Sequence, residues 1–64
     1  MINTKRFINY NDWLYKCKDE TMNELNQFIE ENKIERPNIL EFRTNRTTDW
    51  KCHHSFEVII SWWQ

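Results

Sequence analysis

The chain contains no glycine and no alanine. Without glycine, no turn can use the residue best suited to positive φ, so asparagine and aspartate are expected to take those positions. Both missing residues have GC-rich codons, and eight Asn and seven Ile stand in a chain of 64, which points to an AT-rich bacterial or phage genome. Two cysteines, Cys17 and Cys52, are too few for the disulfide framework of a secreted mini-protein, and they read as free thiols of a reducing compartment. No apolar run approaches the roughly 20 residues of a membrane span, and no charged start precedes an apolar middle as in a signal peptide. The expected location is therefore cytoplasmic, in the bacterial producer or a phage-infected host. No single charge sign dominates: nine basic and ten acidic residues leave a net charge of −1, which gives no general attraction to polyanions or membranes.

Aromatic residues are plentiful. Four Trp, four Phe and two Tyr make 16% of the chain. Sixty-four residues form one domain, 1–64, and a chain so short buries only about 60% of its unfolded surface. Each aromatic side chain can bury roughly 150–250 Å², so a few of them substitute for a larger aliphatic core.

Alternation over Asn3 to Asn9 predicts a first strand, with Phe7, Asn3, Lys5 and Asn9 on one face and Ile2, Thr4, Ile8 and Tyr10 on the other. Asn11-Asp12 then either turns a hairpin into a short strand carrying Trp13, Tyr15 and Cys17, or leads into an irregular or helical segment over 13–18 capped by Asp12. The second alternative is favoured. Met22, Leu25, Phe28 and Ile29 form a helical stripe at i, i+3, i+6 and i+7. Thr21-x-x-Glu24 matches a capping box, and Asp19 and Glu20 suit the positive end of a helix dipole. Asn32 and Pro37 are the expected stop signals. The opposite helix face, Asn23, Glu24, Gln27, Glu30 and Glu31, reads as solvated.

After Pro37, NILEFRTN alternates with Leu40 and Phe42 on one side and Ile39, Glu41 and Arg43 on the other. A polar linker, Asn45 to Lys51, leads to a last strand with Phe56, Val58, Ile60 and Trp62 on one face and Glu57, Ile59, Ser61 and Trp63 on the other. The sum is an α+β fold: a small antiparallel three-stranded sheet with one helix on one face, in the order β-α-β-β. Leu40, Phe42, Phe56, Val58, Ile60 and Trp62 are expected to meet Leu25, Phe28 and Ile29 in the core.

Cys52-His53-His54 is the most chemically suggestive run. A closed zinc site needs four ligands, and Cys17 is the only evident distant partner for Cys52 and His54. Adjacent Cys and His side chains diverge on a strand, and no glycine-bearing turn supplies an oxyanion site. A polar strand entrance is the favoured reading, with no catalytic, cofactor or metal residues assigned. Arg36, Arg43, Arg46 and Lys51 lie in the second half without a clear basic excess, so nucleic acid is a minor alternative.

The far sheet face is more informative. Ile39, Ile59 and Trp63, interleaved with Glu41, Arg43 and Glu57, form an apolar patch that calls for a second cover. A second copy in a two-fold dimer is the simplest one. The expected function is a non-enzymatic, homodimeric protein-binding module, with the helix face or the 45–51 loop free for a partner. A small flavin-like ligand stacked between tryptophans in an oligomer is the alternative from another class, followed by a nucleic-acid- or metal-binding mini-domain.

Met1-Ile2-x-Thr4-Lys5-x-Phe7, Leu25-Asn26-Gln27-Phe28-Ile29, Ile39-x-Glu41-Phe42 and Val58-Ile59-Ile60 together resemble a family of short proteins named after a small sporulation-expressed protein of Bacillus and found also in its phages. Asn9 to Lys18 depart from that pattern as an insertion, and the Trp62-Trp63 ending is unusual for it. The resemblance implies the same β-α-β-β order and a phage or prophage setting. Short phage proteins of this kind often bind and block a host protein, including anti-phage defence proteins. No site residue is carried over.

Overall fold

The computed structural model describes residues 1–46 and 54–63. Four elements follow one another: β1 (Ile2–Asn11), α1 (Leu14–Glu31), β2 (Asn38–Arg46) and β3 (His54–Trp63). The strands form one antiparallel sheet in the order β1-β3-β2, so the last strand lies in the middle. Opposite β1, Phe7 faces Val58 and Asn9 faces Phe56. Opposite β2, Phe42 faces Val58 and Arg43 faces Glu57. The architecture is the α+β sheet-and-helix fold expected from the sequence.

The core lies between α1 and the β1–β3 half of the sheet. Phe7, Cys17, Leu25, Phe56, Val58 and Ile60 are buried together, with Met22, Phe28, Ile29 and Trp62 packed around them. Phe28 meets Phe7 and Trp62 edge-on, with ring centroids 5.5 and 5.3 Å apart. The Lys5 ammonium sits 5.2 Å from the Phe28 ring and closes one end of this cluster. No helix among the described residues is long and apolar enough to cross a membrane.

The helix begins at Leu14, about two turns earlier than the capping box implied. Residues 14–18 are helical, within the irregular or helical lead-in favoured above, but the N-cap position is Trp13 and Asp12 makes no cap. Thr21 is no cap: its hydroxyl donates back to the Cys17 carbonyl at 2.7 Å and accepts from the Asn9 side chain at 2.9 Å. The first turn is instead tied down by Asn11, whose side-chain oxygen accepts the Trp13 N–H at 3.1 Å. Asp19 and Glu20 therefore lie past the first turn, outside the reach of the dipole's positive end.

Asn32 ends the helix as expected. Ile34 N–H bonds to the Ile29 carbonyl and Lys33 N–H to the Glu30 carbonyl, the paired pattern of a Schellman cap. The residue at C′ takes φ 51°, and it is Lys33, not an asparagine or aspartate. Here the missing glycine is felt directly.

Two expectations about β2 fail for physical reasons. A helix is about 10 Å across and strands lie about 4.8 Å apart, so one helix roofs about two strands. Helix α1 contacts β1 and β3 and does not reach β2. Leu40 and Phe42 consequently lie more than half exposed, not in the core. In addition, a β-bulge interrupts the register between Ile39 and Glu41. Ile39 thereby faces Ile60 on the helix side, whereas strict alternation placed it on the far face with Glu41 and Arg43.

Candidate functional site

The sheet face turned away from the helix is built by three strands. From β1 come Ile2, Arg6, Ile8 and Tyr10; from β3, Glu57, Ile59 and Trp63; from β2, Glu41 and Arg43. Of the expected interface residues, Glu41, Arg43, Glu57, Ile59 and Trp63 share this face, and Ile39 does not. Trp63 is 74% exposed and stands opposite the exposed Ile2. Its neighbour Trp62 turns to the helix side and is half-buried. Ile2, Ile8 and Tyr10 were not joined to the patch by sequence reasoning. Their alternation on β1 was visible, but which strand stands beside β1 was not.

Charge runs across the middle of this face. Glu57 has a buried side chain on the central strand, and the exposed Arg6 guanidinium of β1 pairs with it. Arg43 lies opposite Glu57 and bonds to Glu41, two residues back on its own strand, at 2.7 Å. The result is a mixed-sign, partly apolar surface with Trp63 at one end.

Strand β2 adds a second exposed region. Ile39, Leu40 and Phe42 are 49%, 58% and 54% exposed, and the Phe42 ring leans on Phe56 at 5.9 Å. Among the described residues, no helix covers them.

Among the described residues, two clefts carry aromatic side chains. One, of about 370 Å³, is lined by Lys33, Glu35, Arg36, Trp62 and Trp63. The other, of about 460 Å³, is lined by Asp12, Trp13, Arg46 and His54. His54 opens β3 and is half-buried opposite Asn11 and Arg46. Cys52 and His53 lie outside the described residues, as do residues 47–51 of the expected loop; Asn45 and Arg46 belong to β2. Cys17, weighed as a distant ligand, is sealed in the core, where its thiol donates to the Leu14 carbonyl at 3.1 Å. Burial raises its pKa above the ordinary value of 9.0. A neutral thiol in a closed core offers nothing to a metal at the strand entrance. Among the described residues, no group of three His, Cys, Asp or Glu is arranged to hold a metal ion.

Comparison with protein-family models, with curated proteins and with solved structures returns no match, so the sporulation-family resemblance gains no relative from them.

Proposed function

We propose that this chain is a small non-enzymatic protein-binding module that acts as a homodimer, encoded by a phage and directed at a host or anti-phage defence protein. One observation carries the binding reading: the helix leaves β2 uncovered, so Ile39, Leu40 and Phe42 face solvent beside a far sheet face that ends in Trp63. Apolar side chains gathered on one uncovered strand are a mark of a contact surface. Tryptophan and arginine, here Trp63, Arg6 and Arg43, are the residue types most enriched where binding energy concentrates. The phage setting rests on the family resemblance and on a composition without Gly or Ala and rich in Asn and Ile.

The experiment uses the purified chain immobilised against bacterial host lysate. Wild type is expected to retain a discrete host protein that the Trp63→Ala chain does not. Identical retention by both chains, or none by either, would count against a target on this face.

A second reading is favoured by the cleft at Trp62 and Trp63, where Lys33 and Arg36 could meet the negative charge of a flavin-like ligand. The two indoles lie on opposite faces of β3, so one chain cannot sandwich a ring between them; an oligomer would have to. Tryptophan fluorescence that stays unchanged as flavin mononucleotide is added removes this reading.

A further inference from the structure

Strand β2 is the outer strand on its side of the sheet, and among the described residues it has a strand neighbour on one edge only. The bulge at Ile39/Glu41 breaks the first part of this edge, and the regular run that follows, Glu41–Arg46, is a template for another strand. The opposite edge, β1, is guarded: it carries Lys5 and Arg6 and no acid, so self-pairing there brings together basic residues alone. Strand β2 differs. Glu41 and Arg43 sit two residues apart on one face, on either side of Phe42.

That spacing selects a register. In a two-fold antiparallel pair, facing residues must share a sheet face, so the axis passes through a residue. Centring it on Glu41 sets the two Glu41 carboxylates against each other. Centring it on Arg43 opposes the two guanidinium groups. Centring it on Thr44 leaves Glu41 facing no residue of the second strand. Centred on Phe42, each Glu41 faces Arg43 of the second copy, twice over by symmetry, and the two Phe42 rings meet on the axis. Facing aromatic pairs and opposite charges are both favourable cross-strand contacts.

We infer that two copies of this chain join edge to edge through β2 in the register centred on Phe42. Three strands from each copy then make one sheet of six, ordered β1-β3-β2-β2-β3-β1, with both helices on one face. The helices stand clear of the junction because α1 does not reach β2. The far face with Trp63 stays open. This pairing rests on the homodimer reading above and names its contact.

Charge reversal tests it on the full chain by light scattering. Glu41→Arg alone and Arg43→Glu alone each oppose like charges at both symmetric positions, and each is expected to weaken the dimer roughly tenfold or more. Mixing the two variants should restore a 1:1 dimer, since every facing pair in the mixed species has opposite signs. Mixing cannot repair the Glu41–Arg43 contact within one chain, so rescue reports on the contact between copies. If either single variant does not fold by circular dichroism, the double exchange Glu41→Arg/Arg43→Glu decides alone: dimerisation like wild type supports the register, and a monomer overturns it. A wild-type dimer undisturbed by folded single variants, or folded single variants that stay apart on mixing, overturns this pairing while leaving a homodimer through another surface. A monomeric wild type at tens of micromolar overturns the homodimer reading as well.

Discussion

Ile39 and Ile60 face each other across β2 and β3, yet Ile60 is fully buried and Ile39 is 49% exposed. The same residue type in the same sheet layer thus lies under the helix in one strand and beside it in the next. Everything proposed for β2 follows from that difference.

Identical changes should therefore cost different amounts. Ile60→Val removes a methylene from a sealed core and is expected to cost about 0.5–1.5 kcal/mol. Ile39→Val is expected to stay within about 0.5 kcal/mol of wild type when the chain is monomeric. Urea unfolding at low protein concentration measures both, and equal losses would mean that β2 is covered in solution even in the monomer.

Thr21 ties strand to helix. Its buried hydroxyl accepts from Asn9 on β1 and donates to Cys17 on its own helix. Thr21→Val keeps the shape and strands the Asn9 amide, which should cost about 1–2 kcal/mol. For a domain this small, that lowers the melting temperature by roughly 4–8 °C per kcal/mol. Thr21→Ser, which retains the hydroxyl, should lose less than Thr21→Val; the reverse order would show that packing, not the hydrogen bond, matters there.

Lys33 holds φ 51° at the end of α1, where a side chain crowds its own backbone. Lys33→Gly should stabilise the chain by about 0.5–1 kcal/mol, the gain in the turn exceeding the extra freedom glycine has when unfolded. A rise in melting temperature is the expected outcome, and a fall would mean that the lysine side chain makes a contact worth more than the strain.

Cys17 makes stability depend on alkaline pH. Burial disfavours its thiolate, so the folded chain holds the thiol proton more tightly than the unfolded chain does. Its contribution is fully present below the ordinary thiol pKa and is lost as pH rises through the higher folded value. As pH rises past the ordinary thiol value of 9.0, the melting temperature should fall more steeply in a Cys52→Ser chain than in one also carrying Cys17→Ala. In the same Cys52→Ser chain, a thiol reagent at neutral pH should leave Cys17 unmodified until the protein unfolds.

The order of elements was legible because each carries its own period. The stripe from Met22 to Ile29 reads as a helix, and the alternation of β1 and β3 places Phe7, Val58 and Ile60 on the buried side. The start of the helix was misread for a specific reason. Thr21 looks like a cap when its only candidate partners are nearby backbone groups, but in the fold it has Asn9, 12 residues away in sequence, and its own Cys17 carbonyl. The face of Ile39 was misread because one inserted residue reverses alternation, and nothing local in NILEF marks the bulge.

The run of Cys52, His53 and His54 drew attention as chemistry, whereas the features that organise the proposed function are the charge pattern of Glu41 and Arg43 and the exposure of Phe42. That pattern can be read in the residues, but its meaning depends on β2 lying at an edge.

What the sequence by itself determined is local: the periods that make one helix and three strands, the apolar residues available for a core, and the absence of glycine from its turns. Only the tertiary structure decided which strand lies in the middle, which residues fall under the helix and which edge remains open. The physical reason is one of width. A helix covers about two strands, and long-range pairing, which no local period encodes, selects β1 and β3 as the two.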